Sequence, residues 1–183
     1  MEQNQDAAEV VLSDRSIFQT LNGLWKGKKG PLVRAIVVRN TNFTADGVLD
    51  LTNVAELDVE AKQLATRTLH RGDIIVERSG GGPKQAVGRV CYFDAAGKLP
   101  YSFSNFTSVI RVIDRARFLP RCVHYYLLHL YKDGYTEGLQ HATTGIRNLD
   151  FSSYLEAKVP ERTMPEQQKI ATVLWKMQRA IAT

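Results

Sequence analysis

Cysteine is scarce in this chain. Its two cysteines, Cys91 and Cys122, stand far apart and in no Cys-x-x-Cys pair, so neither a zinc knuckle nor a dithiol redox centre is encoded. Long apolar runs are missing too. None exceeds four residues, Tyr125 to Leu128 for example stopping at His129, well short of the ~18 residues a membrane-spanning helix needs. The stretch from Met1 to Glu9 is polar and acidic, with no basic region leading into an apolar one, so no signal peptide is expected. Asn42-Phe43-Thr44 and Asn105-Phe106-Thr107 match the glycosylation acceptor pattern. Without an export signal they read as coincidence, and the expected compartment is a reducing cytoplasm with no membrane partner.

The motifs of common enzymes are also lacking. Gly80-Gly81-Gly82-Pro83-Lys84 ends in lysine, but Gln85 follows where a P-loop has Ser or Thr. The segment precedes a strand pattern, so no helix N-terminus would face a phosphate. Ser79 lies outside a Gly-x-Ser-x-Gly elbow because Glu77 holds the first position. His70, His124, His129 and His141 show no metal spacing. There is no glycine-rich methyl-donor loop and no Asn/Asp-Pro-Pro-aromatic tetrapeptide, which excludes base methylation by this chain. Asp73 and Glu77 would share one face of a strand, but Ser79 occupies the place of the lysine in a strand-borne Asp…Glu-x-Lys nuclease site.

What is present is an ordinary globular composition over 183 residues, 44% apolar and 23% charged. Such a chain buries roughly 70% of its unfolded surface without staples. Lys and Arg exceed Asp and Glu by 24 to 19, a net charge of +5. The excess is concentrated: Lys26, Lys28, Lys29, Arg34 and Arg39 occur without an acid, and Arg111, Arg115, Arg117 and Arg121 with Asp114 alone. Basic runs of this kind suit a polyanion, although a solvated face balanced by acids elsewhere is equally consistent with them.

The periodicities mix helices and strands. Residues 1–15 read as a loose leader. Ile17, Phe18, Leu21 and Leu24 follow helical spacing. Strands are expected at Arg34–Arg39, Val48–Leu51, Ile74–Val76, Ala86–Phe93, Phe106–Ile113 and Leu155–Val159. A short helix capped by Asp58 is expected over Asp58–Leu69, and a buried one over Arg121–Lys132, with Tyr135–Gln140 extending or following it. From Met164, Pro165 and Glu166 begin another helix, and Ile170, Val173, Leu174, Met177 and Ile181 recur along one stripe. A helix this short with one apolar stripe must pack on something, either a second chain or the body of its own.

Between these elements lie polar loops: Arg39 to Asn42, Arg78 to Gln85, Ser104-Asn105, and His141 to Asn148. Arginine forks onto guanine, Asn and Gln pair with adenine, and Ser and Thr serve bases or phosphates. Ordinary capped turns use the same residues. The ordered set is more telling. Arg39-Asn40-Thr41-Asn42-Phe43 is followed by Gly47-Val48-Leu49-Asp50-Leu51 and then by Arg71-Gly72-Asp73-Ile74-Ile75-Val76-Glu77-Arg78-Ser79-Gly80-Gly81. His141-Ala142-Thr143-Thr144-Gly145-Ile146-Arg147-Asn148-Leu149, Val159-Pro160 and Pro165-Glu166-Gln167-Gln168-Lys169-Ile170-Ala171 complete it. From residue 16 to 183 this resembles a target-recognition domain of the specificity (S) subunit of type I restriction–modification systems.

The resemblance implies an α+β fold: a recognition domain over 16–163, with a twisted, mostly antiparallel sheet and flanking helices, then a coiled-coil-type helix over 164–183. It implies a non-catalytic subunit that binds double-stranded DNA and directs methyltransferase (M) and restriction (R) subunits to it, S-adenosylmethionine being bound by the methyltransferase and no cofactor by this chain. The residues so assigned to DNA are Arg39, Asn40, Asn42, Arg78, Lys84, Gln85, Asn105, Thr143, Thr144, Arg147 and Asn148. Family members usually carry two such domains. This chain has one, and Glu161-Arg162-Thr163-Met164 replaces a more apolar, proline-rich lead into the helix, so it reads either as a half-length subunit that pairs as a homodimer through its helix or as a remnant of a longer subunit. A stand-alone small DNA-binding module, a small-molecule or peptide binding module and a metal-dependent nuclease are the alternatives.

Overall fold

A computed structural model describes residues 8–25, 30–81, 85–143 and 145–181. The chain begins with strands β1 (Glu9–Val11), β2 (Phe18–Asn22) and β3 (Leu32–Val38), a 3-10 turn at Asn40–Asn42, strand β4 (Ala55–Glu60) and helix α1 (Ala61–Arg67). Five strands follow: β5 (Ile74–Glu77), β6 (Ser79–Gly80), β7 (Val90–Tyr92), β8 (Tyr101–Phe103) and β9 (Thr107–Val112). Helix α2 (Pro120–Lys132), strands β10 (Gln140–Thr143) and β11 (Ile146–Leu149), helix α3 (Phe151–Tyr154), strand β12 (Lys158–Pro160) and helix α4 (Met164–Ile181) complete it. The α+β class expected from the sequence is what folds. The strands form several small sheets rather than one, and every pairing of named strands is antiparallel except β3 with β8.

The central sheet, ordered β2-β9-β5-β7, is apolar on both faces. Ile74, Val76, Val90, Ile110 and Val112 point to a core shared with α2, whereas Ile75, Cys91 and Val109 point to a second core with Val38 and Phe103. That double burial explains the unbroken Ile74-Ile75-Val76 run, since a strand covered on both sides need not alternate. The β4-β3-β8 sheet closes the second core, and β1 pairs with β12. Strands change sheets at two neighbouring points. The chain passes from β5 to β6 through Arg78, and from β8 to β9 through Ser104, Asn105 and Phe106.

Several expectations are corrected. Phe18 to Asn22 is a strand on the edge of the central sheet, not a helix, its register running from Phe18↔Val112 to Asn22↔Ser108. Glu9–Val11, within the expected leader, is a strand paired with Lys158–Pro160. Of Val48–Leu51, only Leu49 bridges, to Phe43. Asp58 lies inside β4, and Glu60 precedes α1 without a side-chain cap. The strand at Ala86–Phe93 shrinks to Val90–Tyr92, and Leu155–Val159 is replaced by α3 and then β12.

Helix α4 folds back on α2. Thr163 donates through N and Oγ1 to Glu166 Oε2 at 2.9 and 2.7 Å, a capping pair that fixes the helix start. Gln167 is buried, accepts from Leu119 N at 2.7 Å, and donates to the carbonyls of Arg117 and Arg162 at 2.7 Å each. Gln178 accepts from Tyr125 at 3.0 Å and donates to the carbonyl of Asp46. Gln167 and Gln178 are therefore the clasps joining helix and body. No described helix is long and apolar enough to cross a membrane.

Candidate functional site

The polar loops meet where β5 gives way to β6. Glu77, the last residue of β5, is fully buried, and a buried carboxylate requires a partner. Arg89 supplies it as a fork: Nε donates to Oε2 and Nη2 to Oε1, both at 2.8 Å. The same guanidinium donates to the carbonyls of Phe43 at 2.9 Å and Asn40 at 3.0 Å. Its hydrogen bonds with Glu77 raise the Arg89 pKa against the opposing effect of burial. Asn40 Nδ2 completes the knot, donating to Glu77 Oε1 at 3.3 Å and to the Ser79 carbonyl at 3.1 Å. A Cβ on Gly80, which has φ +127°, would meet that Nδ2 at 2.3 Å. Glycine is required here for close approach of two loops, not for cradling a phosphate.

Ser79 joins the third loop. Its Oγ donates to Asn148 Oδ1 at 2.5 Å, and β6 pairs with β11 in the register Arg147↔Gly80 and Asn148↔Ser79. Arg78 ties in the fourth. Its N and that of Ser79 donate to the Phe106 carbonyl at 2.8 and 3.1 Å, and its own carbonyl accepts from Leu149 N at 2.8 Å. The Arg78 side chain donates to Asn22 Oδ1 at 3.0 Å and lies 4.7 Å over the Phe151 ring. Among the described residues no carboxylate neutralises it, and burial lowers its pKa.

Asn40, Arg78, Arg147 and Asn148 are thus brought together around Ser79, with Asn105 one residue from Phe106. Arg39 precedes the Asn40 turn and is half-buried. Gln85 is exposed, and its side-chain amide faces the Arg89 guanidinium. Thr143 pairs with Ile146 through the backbone at the end of the β10–β11 hairpin. Lys84 and Thr144 lie outside the described residues. Asn42 stands apart: it is buried, its Oδ1 accepts from Arg39 N at 2.9 Å, and its Nδ2 donates to the carbonyls of Asp50 and Asn53 at 3.0 Å each. Its amide holds a turn together and has no donor left for a ligand.

Sequence reasoning missed Arg89 and Ser79 as organisers of this region. The available signal was a charge inside each of two expected strands, Glu77 after Ile74–Val76 and Arg89 within Ala86–Phe93, because buried strand charges come in pairs. The two carboxylates of the nuclease alternative are both engaged. Glu77 is held by Arg89. Asp73 is fully buried and forked by Arg111, with Nε–Oδ1 at 2.7 Å and Nη2–Oδ2 at 2.8 Å. Among the described residues no three His, Cys, Asp or Glu side chains are grouped to hold a metal. An apolar groove between α2 and α4, lined by Phe118, Cys122, Tyr126, Ile170 and Leu174, measures about 230 Å³.

The same groove divides the expected association stripe. Ile170 and Leu174 border it, while Val173 and Met177 are 48% and 56% exposed. The Ile181 side chain lies outside the described residues.

Comparison with solved structures places this architecture. The S subunit of the type I restriction–modification system from M. genitalium matches with a TM-score of 0.58 at 16% identity, over 94% of this chain. The fold is that of a type I S subunit. A structure on complex assembly and conformational transition of the type I R-M system matches this S-subunit fold over 100% of the chain, TM-score 0.65 and 15% identity. The HsdS subunit from Thermoanaerobacter tengcongensis does so over 100%, TM-score 0.61 and 13% identity. The chain spans about 40% of the length of each. No family model matches the sequence, and neither does any curated protein.

Proposed function

We propose that this chain is a non-catalytic DNA-reading subunit, a single recognition domain that directs a type I restriction–modification assembly to its target. The observation that carries the reading is the convergence of four polar loops on Ser79, which gathers Asn40, Arg78, Arg147, Asn148 and the Asn105–Phe106 tip. Arg78 is a fixed, unneutralised cation in that surface, suited to a phosphate or to the acceptor edge of guanine. The S-subunit fold supports the same reading.

Its partners on this proposal are double-stranded DNA, a methyltransferase subunit that brings S-adenosylmethionine chemistry, and a restriction subunit, in the cytoplasm. The outward residues Val173 and Met177 on α4 would meet the same face of a second copy. A two-fold dimer would then read two half-sites of an inverted repeat. The test is selection from a randomised duplex pool by the full chain, alone and with its methyltransferase partner. Enrichment of a defined sequence supports the proposal, and a pool unchanged after selection in both states overturns it.

A further inference from the structure

The Asn105–Phe106 tip carries a feature that reading bases by hydrogen bonds alone does not require. Phe106 is 44% exposed, and among the described residues its ring has no aromatic or cationic partner. A lone exposed aromatic is commonplace on a protein surface. This one is held rigidly. The Phe106 carbonyl receives two N–H groups, from Arg78 and Ser79, and the next residue, Thr107, is buried and donates through N and Oγ1 to the Ser104 carbonyl at 3.0 and 2.8 Å. A second exposed aromatic stands on the same side. Trp25, 68% exposed, follows Leu24, which bridges to Ser104, and it shares an open groove with Asn105.

We propose that Phe106 is an apolar wedge that enters a base step of bound duplex DNA, with Arg78 beside it on the flanking phosphate; the proposal rests on the DNA-reading function above. An apolar side chain between base steps unstacks them and bends the duplex, which turns sequence-dependent deformability into selectivity. The fixed backbone of the tip is what the task needs, because a mobile loop would lose its gain to ordering. The cation beside the wedge favours DNA: among the described residues Arg78 has no carboxylate partner, while Glu56 and Asp58, which line the adjoining groove of Trp25 and Asn105, are engaged by Arg34.

The experiment places 2-aminopurine at successive positions of a duplex selected by the full chain from a randomised pool. Unstacking raises the fluorescence at one step on binding. The wild-type chain gives that rise, Phe106→Leu retains it, and Phe106→Ala loses it together with roughly tenfold in affinity. Thermal melting of each variant separates this from misfolding, because a partly unfolded chain loses affinity without selectively losing the rise. Selective binding with no rise at any step, or a rise that survives Phe106→Ala, overturns the wedge and leaves DNA reading intact. Loss of methyltransferase association in Phe106→Ala with an unchanged rise also overturns it, in favour of a protein contact. Absence of sequence preference in the wild-type chain, both alone and with its methyltransferase partner, removes both proposals.

Discussion

The Arg89 guanidinium grips the Glu77 carboxylate with two hydrogen bonds of 2.8 Å and donates as well to the carbonyls of Asn40 and Phe43. One buried ion pair therefore locks the Asn40 turn to the end of the central sheet, and through Asn40 to Ser79.

Breaking this pair from one side should be costly. Arg89→Met leaves Glu77 buried without compensation, and urea denaturation should show a loss of about 3–5 kcal/mol. The double variant Glu77→Leu/Arg89→Met should regain most of that stability, since burying two apolar groups of similar size avoids desolvating either charge. A single variant within about 1 kcal/mol of wild type would contradict this account of the site.

His124 gives a pH dependence of known sign. It is completely buried on α2, and burial, followed by the nearby Arg121 cation, lowers its pKa from 6.5 to about 3. The folded protein keeps the ring neutral where the unfolded chain protonates it. The stability this contributes is complete above pH 6.5 and is lost as pH falls toward 3, at about 1.4 kcal/mol per pH unit. Urea titrations between pH 6.5 and 4.5 should show that slope, and His124→Phe should abolish it. An identical slope in the variant would assign it to other groups.

Much of the fold is legible in the sequence where burial is simple. Arg121–Lys132 and the helix from Met164 show their period clearly, β5 announces itself as an apolar run enclosed by two cores, and β9 as an alternating stretch rich in β-branched residues. Ile17, Phe18, Leu21 and Leu24 imitate a helix for a local reason. Ile17 and Phe18 are buried at a turn in the first core, Leu21 packs on the second and Leu24 on a third, so three different neighbours produce a spacing that one helix would also produce. The site was legible by residue type but not by role. Asn40 and Asn42 are equivalent on paper, yet one reaches across to Ser79 and the other is consumed in its own turn. Arg89 shows in the sequence only as a charge within an expected strand, because its partners lie at positions 40, 43 and 77 and only the fold unites them.

The outward face of α4 makes a separate prediction. Val173 and Met177 are exposed and contribute little to the body, so Val173→Lys and Met177→Lys together should leave the thermal midpoint nearly unchanged. If this face pairs with a second copy, sedimentation should register a drop from dimer to monomer mass. An unchanged mass would remove the pairing.

The central claim is that four loops form one surface that a duplex covers. Amide hydrogen exchange of the full chain, with and without a pool-selected duplex, tests it most directly. Protection should appear together at Asn40, Arg78–Gly80, Asn105–Phe106 and Ile146–Asn148, with β4 and the groove between α2 and α4 unaffected. Protection confined to β4 or to that groove would contradict the claim.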